Sequence, residues 1–309
     1  MDNNTRYPKL WQGLLLFVLV IVAMIFVATP VQIELGLSGV AITELILLMM
    51  AIGAAVLSKC RLRDIFPLEP TPPKKMFGIL MMYGGLYLFI IAGTSILAHF
   101  MPSLNETSIN IASIGTQLSP AAAILIMAVM PAVCEEAVFR GFILASFKSV
   151  KLRKVFGFSW KFLTIILVGV LFGIFHLDPT RYLMTAVLGA FFTYIALESG
   201  SMFPSMFLHL TNNLISVIAM YSISDTIDAE ALLAAQSLYS PLQLFASFMC
   251  YLGVAIMLYF FGLKLFKSLK TNRRVTIAVI ITSVVMVVIG YVITVITVLP
   301  ELESIIAAM

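Results

Sequence analysis

The sequence predicts an all-α fold: a polytopic membrane helix bundle of about nine transmembrane helices, N-terminus inside and C-terminus outside. Three observations predict it. Of 309 residues, 61% are hydrophobic and 11% charged, against roughly 45–50% and 25% in soluble domains. With a mean hydropathy of +1.07, the chain has too little polar surface to cover a particle in water. Apolar runs of about 20 residues, the length that crosses a bilayer, recur from end to end. Lysines and arginines collect in alternate connectors, as cytoplasmic loops require.

The runs fall at 11–29, 37–57, 77–100, 120–147, 162–177, 182–198, 202–220, 243–263 and 275–299. The first follows Arg6 and Lys9 and superficially resembles a signal peptide. It is longer than the usual apolar segment of one, and Pro30 sits where a cleavage product would begin, so we read it as a retained helix. The connector Ser58–Lys75, with Pro67, Pro70, Pro72 and Pro73, reads as a stiff linker. We divide the chain into N-terminal helices with this connector (1–118), a core (119–220) and C-terminal accessory helices (221–309).

Seventeen of the 19 basic residues occupy the N-terminus and the second, fourth and eighth connectors, around Lys59–Lys75, Lys148–Lys161 and Lys264–Arg274. The intervening connectors near Glu34, Glu106 and Asp225–Glu230, and the tail with Glu301 and Glu303, contain none. The net charge of +4 therefore reports topology, not a nucleic-acid partner. Cys60, Cys134 and Cys250 lie in separate segments without metal or disulfide spacing. No internal repeat is visible, which argues against a secondary transporter.

Ionisable residues at membrane depth are few: Glu44, Glu135, Glu136, Arg140, His176, Glu198 and His209. An unpaired charge there is costly, so each asks for a partner or a function. Glu136 and Arg140, spaced i,i+4, share one helix face; Glu135 points about 100° away and is left over. At about 1.5 Å per residue, counting from the basic ends places Glu135, His176, His209 and Asn213 in one layer. Cys134 reads as a small packing residue. Pro131 and Gly141 read as positions that kink or thin the helix and open space for water and substrate. Glu44 is compatible with either a polar cavity or a partner.

Three motifs in order, Glu135-Glu136-Ala-Val-Phe-Arg140, Phe172-Gly-Ile-Phe-His176 and His209-Leu-Thr-Asn-Asn213, resemble the EExxxR, FxxxH and HxxxN motifs of the CAAX-protease and bacteriocin-processing family. That family includes the Ras-converting CAAX endopeptidase and many bacterial proteins labelled abortive-infection proteins. The resemblance covers about 119–220. It implies an intramembrane endopeptidase of a multi-pass protein in a bacterial cell membrane, acting on a membrane-associated protein or peptide. Carried over residue by residue, Glu135 and His176 activate water, and His209 and Asn213 stabilise the oxyanion. Glu136 with Arg140 forms a structural pair, and Phe172 packs.

A carboxylate base and imidazole and amide donors suit that division chemically. The family is commonly described as metalloproteases, and zinc held by Glu135, His176 and His209 stays an alternative, although HExxH is lacking and Asn213 is a poor ligand. The preferred expectation is a glutamate–histidine hydrolase that requires no cofactor. Its rivals are a catalytically silent membrane chaperone or immunity factor on the same scaffold, and a proton-coupled transporter.

Overall fold

A computed structural model of the chain describes residues 6–101, 116, 118–150, 152–224 and 239–308. The connectors around Glu106 and Asp225–Glu230, and Lys151, lie outside the described residues. The fold is all-α. Among the described residues, eight helices are long and apolar enough to span a bilayer: α1 (Leu10–Leu35), α2 (Leu37–Leu57), α3 (Pro73–Phe100), α4 (Pro120–Lys148), α6 (Tyr182–Ser199), α7 (Phe203–Ser224), α8 (Pro241–Lys267) and α9 (Arg273–Ala308). A shorter apolar helix, α5 (Trp160–Phe175), completes the nine expected from the sequence. Its 16 residues extend about 24 Å. The chain is an integral, multi-pass membrane protein.

Helix starts follow local chemistry. Ser119 accepts a hydrogen bond from the Ala122 amide ahead of Pro120, and Ser159 caps Phe162 in the same way. Ser240 and Gln243 form a reciprocal box before α8, with Pro241 in the first turn. In each case a hydroxyl satisfies an amide that the helix leaves without a partner. Only Gly36 separates α1 from α2. Its φ of +56° favours a residue without a Cβ and lets the chain reverse. Before α5, β1 (Lys154–Val155) and β2 (Phe158–Ser159) form a minimal antiparallel hairpin, turned by Phe156 and Gly157 at positive φ.

The chain divides into two compact units, Met1–Thr71 with Ser108–Thr226, and Pro72–Thr107 with Ile227–Met309. In the first, α1, α2, α4, α5, α6 and α7 surround one core containing Leu16, Val20, Leu47, Val138, Phe139, Phe142, Phe172 and Phe175. Small residues set the closest approaches. A Cβ on Gly169 would stand 2.6 Å from the Ala190 nitrogen, and one on Gly189 2.8 Å from the Phe172 ring. α5 and α6 therefore pack almost backbone to backbone, the usual means of association where lipid removes the hydrophobic drive. In the second unit, Gly78 and Gly262 bring α3 and α8 together likewise.

Two sequence expectations change. Ser58–Lys75 is not a free linker throughout: the Pro67 carbonyl accepts from the Met202 amide at 2.7 Å and the Glu69 carbonyl from the Ser201 hydroxyl at 2.8 Å. These bonds strap its middle to the α6–α7 turn, because carbonyls around prolines keep full acceptor capacity while prolines lack the donor. Gly141 opens no space for water. A Cβ there would lie 2.5 Å from the Phe66 ring, so the glycine admits an aromatic from the connector.

Candidate active site

Helix α4 supplies the charged centre. Its backbone widens to π geometry over Ala137–Ile143, immediately after Glu135 and Glu136, a distortion common at functional sites. The Arg140 guanidinium donates to Glu136 Oε1 at 2.8 Å, and neither side chain is exposed. A second guanidinium nitrogen donates to the Gly189 carbonyl at 2.8 Å. The Phe172 ring lies 4.4 Å from the guanidinium carbon, and Phe192 lies 5.5 Å away. A buried charge is tolerable only with such partners. Phe172 itself is 1% exposed and packs as expected.

Glu135 stands apart from that pair. It is 7% exposed, and its Oε2 is buried without a hydrogen-bond partner. The nearest imidazole nitrogen, His209 Nε2, lies 3.8 Å from it. His209 reaches from α7, and its Nδ1–H donates to Glu136 Oε1 at 3.1 Å. That bond fixes the ring and leaves only Nε2 for the space beside Glu135. His176 follows the last residue of α5. Its Nδ1–H donates to the Phe172 carbonyl at 2.9 Å; since a carbonyl can only accept, the neutral ring keeps its lone pair on Nε2.

Glu135, His176, His209 and Asn213 all line one cavity of about 590 Å³. Arg181, Asn212 and Ser216 share its wall, with Ile126, Met127, Pro131, Val217 and Met220 as apolar lining. Asn212 donates to Asn213 Oδ1 at 3.0 Å, which occupies the acceptor end of Asn213 and leaves its amide hydrogens as donors. Asn212 was not singled out by the sequence reading, although it sits inside the third motif. Cys134 is buried, consistent with packing. Glu198 is apart from this group and pairs with Lys161.

Glu44 joins the cavity from α2, with Gln32 from the end of α1. Gln32 donates to the Thr43 hydroxyl at 3.0 Å, and Thr43 donates to the Gly39 carbonyl at 2.9 Å, so these neighbours satisfy one another. Glu44 Oε2 is buried and accepts no hydrogen bond. Its helix position alone gave no sign of which residues it faces.

The zinc alternative finds no support in the grouping of donors. Among the described residues, no three His, Cys, Asp or Glu side chains form a group that would hold a metal ion. Glu136 is committed to Arg140 and His209. No mechanistic step is therefore derived through a metal.

An all-α membrane protein that gathers a buried carboxylate, one buried and one half-buried imidazole and a half-buried amide around one cavity has the parts of an intramembrane hydrolase. Residues 117–215, the segment that carries all three motifs, match the family of type II CAAX prenyl endopeptidases, Rce1-like. The resemblance seen in the motifs thus extends across the segment that contains the cavity's two histidines, Glu135 and Asn213. No curated protein and no solved structure matches the chain.

Proposed function

We propose that this protein is an intramembrane endopeptidase that hydrolyses a peptide bond of a membrane-associated protein or peptide. The observation that carries the proposal is the surplus carboxylate. Glu136 balances Arg140, while Glu135 Oε2 is unclaimed beside His209 in a cavity also lined by His176 and Asn213. A carboxylate held at membrane depth without a structural partner is expensive, and a peptidase gives it a use.

In this mechanism Glu135, assisted by His176 Nε2, takes a proton from water, and the resulting hydroxide attacks the scissile carbonyl. The Asn213 amide N–H donates to the developing oxyanion. His209 can donate only through Nε2–H, because its Nδ1–H is committed to Glu136; the imidazolium is its donor form. Glu136, Arg140 and Phe172 hold these groups in place, and Asn212 orients Asn213.

Family membership of the core segment supports a protease in a bilayer with a protein or peptide substrate. A glutamate-dependent subtype is our reading of the donor set. The deciding experiment is a screen of internally quenched peptide libraries with the detergent-purified protein. Cleavage that Glu135→Gln abolishes and a chelator leaves intact is the expected result. Peptide binding without cleavage would instead favour a silent chaperone or immunity factor.

We also infer from the sorting of basic residues that the N-terminus faces the cytoplasm and the C-terminus the opposite side. A reporter fused after Met309 is then active outside, and one inserted near Lys154 inside. The reverse result at Met309 would mean that α5 does not cross.

A further inference from the structure

Glu44 lies outside residues 117–215, the segment that matches the family, and no role is assigned to it by the motifs. It is 5% exposed, its Oε2 accepts no hydrogen bond, and no ion pair joins it to any cation among the described residues. Arg181 lines the same cavity without bridging either carboxyl. A packing role would need a partner to repay burial of the carboxyl, and Thr43 and Gln32 already bond elsewhere. What Glu44 does share is the cavity into which Glu135 also turns an unpartnered oxygen.

Peptide hydrolysis needs two proton transfers of opposite sense. One group removes a proton from water; another must deliver one to the amide nitrogen, because an amide anion is too basic to leave. Two carboxyls in different surroundings are the usual way to separate those tasks. Glu135 has the His209 imidazole 3.8 Å away, whereas among the described residues no cation pairs with Glu44. Glu135 is thus suited to enter as the carboxylate and Glu44 as the acid.

We infer that Glu44 is a catalytic residue of this site, the general acid that protonates the leaving amine. This rests on the peptidase reading. Glu135 accepts a proton from water as the hydroxide oxygen bonds to the carbonyl carbon. The C–N bond then breaks as its electron pair takes the Glu44 proton, giving a carboxylic acid and an amine. Transfer of the proton now on Glu135 to the Glu44 carboxylate restores the starting state, so water is the only species consumed besides the peptide.

The test compares leaving groups. The probes are a quenched peptide that the wild-type protein cleaves and its depsipeptide analogue, in which an ester replaces the scissile amide. An alkoxide leaves with far less help than an amide anion. Glu44→Gln should therefore lower amide turnover about 10²–10⁴-fold while ester turnover falls no more than about threefold, and that retained turnover shows that the variant is folded. Glu44→Asp should recover part of the amide rate, since it keeps the acid. Glu135→Gln should lose both reactions. Equal losses on amide and ester in Glu44→Gln, or an unchanged amide rate, would overturn the role of Glu44 and leave the peptidase standing. Amide cleavage that survives Glu135→Gln would overturn both.

Discussion

Helices α4 and α9 contain apolar spans of similar length, Pro120–Lys148 and Arg273–Leu299, yet 56% of the most apolar stretch of α4 is buried and only 11% of that of α9. In water such a difference would follow from hydrophobicity. In a bilayer it does not, because lipid tails are as apolar as leucine and offer no penalty to an exposed valine. The difference follows from the few polar groups. α4 carries Glu135, Glu136 and Arg140, all buried, whereas α9 carries no charged residue between Arg274 and Glu301. Val284, Val285, Val288 and Val292 of α9 are accordingly exposed. At membrane depth, polarity marks the protein-facing surface and mean hydropathy only marks the span.

The contrast breaks first at Glu135. If its carboxylate is the base, Glu135→Gln preserves shape and removes basicity, so turnover falls about 10⁴-fold with membrane level and thermal stability unchanged. A variant that instead fails to accumulate would move Glu135 into the same structural class as its neighbour.

Glu136 should behave in the opposite way. Removing its charge strands the Arg140 guanidinium, which is 2% exposed, at a cost of roughly 3–5 kcal/mol. Glu136→Gln should appear as lost yield and a lower unfolding midpoint in detergent. Replacing both partners, as Glu136→Leu with Arg140→Met, should cost less than either change alone. Equal and purely catalytic losses in Glu135→Gln and Glu136→Gln would erase the distinction between the two carboxylates.

If Asn213 is an oxyanion donor, Asn213→Ala removes a group that meets charge only as it develops, so kcat should drop about 10²–10³-fold with KM little changed. Asn212→Ala should lower kcat by about tenfold, since it frees Asn213 to rotate without deleting it. A larger loss at Asn212 than at Asn213 would exchange their roles.

The sequence made the nine helices and the separation of Glu135 from the Glu136–Arg140 pair legible, because both depend on periodicity along one chain. Depth counting also put Glu135, His176, His209 and Asn213 in the layer where the cavity lies. Depth says nothing about direction around each helix axis, so the cavity that Glu44 shares with Glu135 was invisible. The same limit hid the bond from His209 Nδ1 to Glu136, which narrows the proposed oxyanion role to one nitrogen. Prolines signalled a stiff connector at Pro67–Pro73, but not the hydroxyl and amide of the α6–α7 turn that its carbonyls would find.

The smallest effect is expected at the far end of the comparison. Val288, at 52% exposure, meets lipid in the folded protein and also meets lipid when α9 is inserted but detached from α8. Val288→Ala should therefore change stability by no more than about 0.5 kcal/mol. Gly290, two residues on, is different: a Cβ there would stand 2.5 Å from the Ala246 carbonyl of α8. Gly290→Leu must push the two helices apart and should destabilise their packing by about 1–3 kcal/mol. Hydropathy alone predicts the reverse order, since Val288→Ala removes apolar surface and Gly290→Leu adds it. A loss above about 1 kcal/mol for Val288→Ala, read from unfolding in detergent, would mean that this face of α9 is covered by protein and that exposure there does not report contact with lipid.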